Sequence, residues 1–311
     1  MNYIGIDIGK TINVACRLGK PSALLKFNND SKGINIFQKW LPKYGSTKIL
    51  VEATGGYQNK LVWHLQKMKY DVLLINPILA RRKKIVSLRK IKTDDHDAEV
   101  LAELARDGKG TKWIANPEQF RHRLLAKMYD KISHRLIQET IQQKRLRELW
   151  EETNYPFPEW LDENLLVPLQ GLKKKLSLHL EKFEDPLIER LSTIPGISRR
   201  GASMIVAEVG SFDRFNRVSQ FIAYIGLDPS IKQSGGQKQK YGHISKRGST
   251  VLRTVFFHAG MTTWRKAFKE LYDKQREKGR SYIETVLIIA RKVARISYSL
   301  AKSNNAIFID S

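Results

Sequence analysis

The sequence predicts an α/β domain followed by two largely helical regions, on three observations. Over residues 1–110, short apolar runs of strand length alternate with amphipathic helical stretches. Residues 117–190 carry apolar positions at helical spacing among many charges. From Ile194 a Pro-Gly turn opens a third region, and residues 249–304 are mostly helical in pattern. With 311 residues, the chain has room for this division, placed at 1–116, 117–190 and 191–311.

In the first region, residues 3–8, 12–18 and 22–28 form strands joined at Gly9-Lys10 and at Gly19-Lys20-Pro21. Asp30 or Ser31 caps a helix running to about Tyr44. Lys48 to Ala53 is a strand closed by Gly55-Gly56. Gln58 to Lys69 is a helix, and Val72 to Asn76 a strand ended by Pro77. Three strands followed by helix-strand-helix-strand is the order of a ribonuclease-H-like fold. Such a fold collects carboxylates from strands and its last helix.

In the second region, Leu125, Met128, Ile132, Leu136 and Leu146 lie on one stripe of a long helix, ended near Pro156 and Pro158. A second helix carries Leu172, Leu176, Leu180, Phe183 and Leu187, a short seam suited to coiled-coil pairing. An antiparallel hairpin and a dimerisation arm fit equally well. In the third region, Ile194-Pro195-Gly196-Ile197 followed by Gly201 to Val209 fits a helix-hairpin-helix element. There the Gly196 backbone would approach a DNA phosphate. An ordinary helix start after Pro-Gly explains the same residues.

Lysine and arginine number 55 against 31 acids, a net charge of +24, which points to a polyanion and to nucleic acid in particular. No apolar run approaches the roughly 18 residues of a membrane span. The N-terminus has the pattern of a strand and not of a signal peptide. One cysteine, Cys16, excludes an internal disulfide and a zinc ribbon, and a cytoplasmic setting fits.

Against this basic background, Asp7 stands inside the apolar run Tyr3–Gly9 and Glu52 ends the run Lys48–Glu52. Burying an acid costs several kcal/mol (~2–7) unless it is compensated. Asp94 and Asp97 are three apart and share a helical face. Alone, that pair is equally an N-cap or an acidic first turn. With the strand acids it suggests a shared cation site. Oxygen donors favour Mg²⁺, one or two ions per set of acids. Two ions about 4 Å apart would clamp the attacking and leaving oxygens of phosphoryl transfer.

Arg81, Arg82, Lys83, Lys84 and Lys92 belong to a segment, Val72–Thr93, that contains no acid. A second acid-free stretch, Pro229–Lys269, includes Lys232, Lys238, Lys240, Lys246 and Arg247. Both suit a phosphate backbone. Within the second, Ser234 beside Gly235 is by chemistry alone a phosphate contact or turn serine before it is a nucleophile.

Jointly, these residues resemble the DEDD transposases of the insertion sequence-110 family, bridge-RNA-guided recombinases. The matching pieces are Gly5–Lys10, Glu52–Tyr57, Lys92–Ala98, Ile194–Ile197, Phe221–Pro229, Gln233–Gly235, Ile244–Ser249 and Ala290–Lys292, in family order. The resemblance implies a resolvase-like N-terminal domain, a coiled-coil middle and a helical transposase domain. It makes Asp7, Glu52, Asp94 and Asp97 a Mg²⁺-binding tetrad, and Ser234 a nucleophile forming a transient phosphoserine link to DNA. It further implies a dimer of dimers, with the tetrad of one subunit facing the serine of another. A structured non-coding RNA would pair with target and donor DNA.

Three other readings compete. A Holliday-junction-resolvase-like nuclease would use the metal without a covalent intermediate. Gly5–Thr11 also resembles the first phosphate loop of actin-like sugar kinases, but no second such loop follows. A non-catalytic nucleic-acid scaffold explains the charge and leaves the strand acids unexplained.

Overall fold

The computed structural model describes residues 1–19, 21–43, 45–52, 56–75, 80, 93–112, 116–232 and 240–303, with backbone alone at 230–232 and 240–242. The chain divides into two compact units, Met1–Asn116 and Pro117–Ser311.

The first unit is built on a six-stranded mixed sheet of order β3-β2-β1-β4-β5-β6. The strands are β1 (Asn2–Ile8), β2 (Ile12–Arg17), β3 (Ala23–Asn28), β4 (Thr47–Glu52), β5 (Asp71–Ile75) and β6 (Thr111–Lys112). β1 runs antiparallel to β2 and parallel to β4, and β4 runs parallel to β5. Along the chain, three strands followed by helix-strand-helix-strand-helix is the element order expected of a ribonuclease-H-like domain. On one face, Ile4, Ile6, Ile49 and Val51 pack beneath α1 (Ser31–Trp40) and α2 (Asn59–Lys67), against Phe37 and Leu61. On the other, Leu50 and Ile75 meet Leu101 and Leu104 of α3 (Asp94–Arg106). The central strands are buried on both faces, which is why β1 and β4 are nearly continuous apolar runs.

Of the two caps the sequence allows, Asp30 is the one that closes α1, accepting from Gly33 N at 2.7 Å. Two local differences from the sequence expectation have physical causes. Helix α1 stops at Trp40 short of Tyr44, because Leu41 precedes Pro42 and takes an extended conformation. β6 is an addition of two residues. It pairs with β5 and is tied by Lys112–Asp71 at 3.1 Å.

In the second unit, α4 (Pro117–Glu151) and α5 (Trp160–Glu181) form an antiparallel hairpin. Arg147 near the end of α4 bonds Asp162 near the start of α5. At the base, Ala126 and Tyr129 cluster with Leu176 and Leu180. Both predicted stripes are only partly buried. Met128 and Leu146 are each 49% exposed, and Leu172 is 40% exposed. Phe183 and Leu187 turn into the core that follows, so the seam is split between two partners.

The remaining elements are α6 (Pro186–Ser192), α7 (Arg199–Val209), α8 (Val218–Ile225), the hairpin β7 (Pro229–Lys232) and β8 (Lys240–Ile244), then α9 (Thr250–Thr263), α10 (Lys269–Glu277) and α11 (Tyr282–Lys302). Their core joins Ile205 and Val209, Phe221, Phe256 and Ile289.

His122 locks α4 to this core. It is fully buried, 2.7 Å from Ser203 Oγ and stacked 3.6 Å from the Phe183 ring. Burial pushes its imidazole down to about 4, with Asp185 opposing. A depressed folded value means that the stability is full above the unfolded value near 6.5 and is lost as pH falls toward 4. Between pH 7 and pH 5 this one group should cost about 2 kcal/mol. Urea unfolding at the two pH values should show the His122→Gln variant losing correspondingly less. An unchanged pH slope in that variant would count against this assignment.

Candidate catalytic centre

Side-chain alternation decides where the strand acids sit. Ile4, Ile6 and Ile8 face α1 and α2, so Gly5 and Asp7 lie on the opposite face. On β4, Ile49 and Val51 take the first face, leaving Leu50 and Glu52 on the second. Parallel pairing registers Ile6 with Val51, so Asp7 and Glu52 are neighbours one step further along. Asp7 is half-buried, and Glu52 is 8% exposed.

α3 covers this same face. A Cβ on Gly5 would stand 2.1 Å from Ala102 N and 2.2 Å from Ala98 O, so the helix backbone lies directly on β1. Tyr3, earlier on the strand, packs in the cluster of Leu101, Leu104 and Ala105. Strand and helix therefore run in opposite senses. The first turn of α3, with Asp94 and Asp97, lies toward the Asp7 end of β1. Thr93 is the N-cap, its hydroxyl accepting from His96 N at 3.3 Å, which removes capping as the reason for Asp94. Among the described residues, no three His, Cys, Asp or Glu side chains are close enough to hold an ion together. The arrangement gathers four acids at one end of one sheet face without closing them into a single coordination set. The donors are all carboxylate oxygens, two of them adjacent on a largely buried surface, and this chemistry fits Mg²⁺.

Asp95, given no role by sequence reasoning, has a structural one. It pairs with Lys26 of β3 at 2.9 Å, and Glu99 accepts from Ser22 Oγ at 3.4 Å. The acids of α3 thus divide between two faces. Cys16 lies beneath the Asp95–Glu99 side, its thiol pushed up to about 11 by burial and then by Glu99, so it is no nucleophile at neutral pH.

Of the expected nucleic-acid contacts, Arg81, Arg82, Lys83, Lys84 and Lys92 lie outside the described residues, as do Ser234, Gly235 and Lys238 of the 233–239 connection between β7 and β8. Lys232 and Lys240 are register partners where that connection leaves the two strands. Lys246 and Arg247 are exposed in the turn from β8 to α9. That turn is clamped to the end of α8: Lys246 N donates to Gly226 O at 3.2 Å, and a Cβ on Gly248 would stand 2.1 Å from Tyr224 O. Two motifs distant in sequence, 221–229 and 244–249, are therefore one structural unit. Gly196 has φ +84, and a Cβ there would strike Thr263 Cγ2 at 2.5 Å. Close packing on α9 accounts for this glycine.

Sequence reasoning also missed a buried anchor. Arg123 grips Glu208 with two bonds, at 3.0 and 3.1 Å, and Ser249 Oγ donates to the same carboxylate at 3.1 Å.

Residues 4–153 match a family model of DEDD-type IS110 enzymes described as "Transposase". Residues 188–275 match a second, described as "Transposase IS116/IS110/IS902 family". The chain is 25% identical over 322 residues to a pilin gene-inverting protein of Moraxella bovis, covering 97% of this chain and 96% of the relative. It is 24% identical over 285 residues to the transposase for insertion sequence element IS1328 of Yersinia enterocolitica, covering 82% and 81%. Over 116 residues it is 33% identical to the transposase for IS1111A of Coxiella burnetii, covering 37% and 30%. Among solved structures, T. thermophilus RuvC in complex with Holliday junction substrate aligns with a TM-score of 0.25 at 14% identity, over 36% of this chain and all of that one. With the two models matched in order along most of its length, the chain belongs to the IS116/IS110/IS902 family of transposases, enzymes of DNA recombination.

Proposed function

We propose that the chain excises and inserts its own mobile element by strand transfer, with Asp7, Glu52, Asp94 and Asp97 holding Mg²⁺ and Ser234 as the nucleophile. The observation that carries this reading is the adjacency of Asp7 and Glu52 on the sheet face whose covering helix begins with Asp94 and Asp97. When bound, Mg²⁺ supplies positive charge at the attacked phosphate. The serine oxygen forms a bond to phosphorus as the bond to the leaving strand oxygen breaks, and the hydroxyl proton ends on that leaving oxygen. One phosphodiester is exchanged for a phosphoserine ester, so the later attack of a new strand needs no outside energy. Lys232, Lys240, Lys246 and Arg247 grip the phosphate backbone on either side of that serine.

Choice of DNA belongs, in this reading, to a structured bridge RNA pairing with target and donor. The net charge of +24 supports binding of more than one nucleic-acid strand. The α4–α5 hairpin pairs copies of the chain into a dimer of dimers, supported by exposed Ile137, Ile141, Leu149 and Val167 along it. Among the described residues no helix is long and apolar enough to cross a membrane, and a cytoplasmic site of action fits.

The test is circle formation in cells carrying the native locus with its RNA-encoding flank. Wild type, Asp7→Ala and Ser234→Ala are compared by sequencing the junctions at matched protein levels. Loss in both variants is expected. Loss with Asp7→Ala alone would leave a resolvase-like nuclease in which water attacks. Circles undiminished by deleting the flank would remove the RNA.

A further inference from the structure

In the second unit, a cavity of about 1150 Å³ opens between β7–β8, α9 and α11. It is a little larger than typical small-molecule sites, about 300–1,000 Å³. Its lining is polar on one side and apolar on the other. Lys246, Arg253, Arg280 and Arg291 contribute four cations, joined by His134 of α4, His243 and His258, against one acid, Glu284. That acid is engaged at the start of α11, accepting from Ser281 N at 2.8 Å in a capping box. Arg291 Nε is buried and has no hydrogen-bond partner among the described residues. Burial, then Arg295 and Arg280, hold its guanidinium below the ordinary range, with Asp228 opposing. The other wall is apolar: Phe257 on α9, with Ile283, Leu287 and Ile288 on α11. Ile283 is 51% exposed.

We infer that this cavity holds one unstacked nucleotide of a single-stranded segment, its phosphate against Arg280 and Arg291 and its base against Phe257 and Ile283. Cations alone would suit any phosphate backbone. The apolar wall is useful only to a base withdrawn from its stack, since a duplex presents phosphates and keeps its base faces covered. An aromatic ring and a guanidinium whose buried Nε has no partner among the described residues line the same opening. This rests on the reading of the chain as a nucleic-acid enzyme and adds a strand-state preference to it. DNA and RNA share the chemistry, and the test separates them.

Fluorescence anisotropy of the full chain would use oligothymidylate, oligouridylate of equal length and a blunt DNA duplex. The proteins are wild type, Arg280→Gln, Arg291→Gln, Phe257→Leu and, as control, Lys274→Gln on exposed α10. Arg280→Gln and Arg291→Gln should each lower the single-strand salt slope by about 0.7. Phe257→Leu, which keeps apolar bulk, should weaken single-strand binding at least about fivefold. Duplex binding should fall no more than with Lys274→Gln. Loss confined to thymidylate assigns the nucleotide to a DNA strand, and loss confined to uridylate to RNA; both sustain the proposal. Phe257→Leu and Arg280→Gln indistinguishable from Lys274→Gln, or duplex binding reduced as much as single-strand binding, would overturn it while the enzyme reading stands. A wild-type chain that binds none of the three probes overturns both.

Discussion

Glu52→Gln is expected to reduce strand exchange by roughly 10³-fold while the fold survives. The side chain is 8% exposed at the end of β4, beside Asp7 on the parallel neighbour. Glutamine has the same shape and can still hydrogen bond, so packing on the α3 face is unchanged. What it removes is one negative charge from a place where two acids adjoin. Metal-free buffer gives each protein its own baseline melting temperature, and Mg²⁺ should raise only that of the wild type. Saturating ligand at 100 times its dissociation constant stabilises the folded state by about 2.7 kcal/mol. That gain should appear in wild type and be largely absent in the variant. A thermal melt with and without Mg²⁺ reads this independently of recombination. An equal Mg²⁺-dependent rise in both proteins would place the ion elsewhere.

Gly5→Ala is expected to be as severe by a different route. The added methyl would lie 2.1 and 2.2 Å from backbone atoms of α3, which no side-chain rotation relieves. The helix must lift from β1, and overpacking of this kind costs up to about 3 kcal/mol. A fall of roughly 10 °C in the first unfolding transition should follow. Because Asp94 and Asp97 ride on that helix, activity should vanish at temperatures where the variant is still folded. A variant that melts normally would mean that helix and strand tolerate a wider spacing than their contact indicates. Gly45→Ala, where φ is +88 but no atom lies within 4 Å, separates backbone strain from crowding.

Much of the first unit was legible because its signals are local. Nearly continuous apolar runs at β1 and β4 mark Asp7 and Glu52 as acids in buried strands, and a spacing of three marks Asp94 and Asp97 as one helical face. What stayed hidden depends on contacts between distant segments. Asp95 gains its meaning from Lys26 on β3, nearly seventy positions away. β6 has no pattern of its own and exists because β5 has a free edge. The leucine seam of α5 has coiled-coil spacing, yet Phe183 and Leu187 find a better partner in the following core. Arg253, Arg280 and Arg291 lie on separate stretches of sequence. They meet because Gly260 lets α9 and α11 approach closely, a Cβ there standing only 2.7 Å from Val286 O.

The Arg123–Glu208–Ser249 anchor has a mechanical consequence. Among the described residues, the hydrogen bonds and ion pairs of 135–162 join residues of the hairpin to one another. At 1.5 Å per residue, the part of α4 from Arg123 to Glu151 is a lever arm of about 40 Å with its fulcrum at Arg123. Ser249 caps α9 immediately after the turn that follows β8. A load at the tip therefore reaches the start of α9, and the turn that follows β8, through this carboxylate alongside the His122–Ser203 contact.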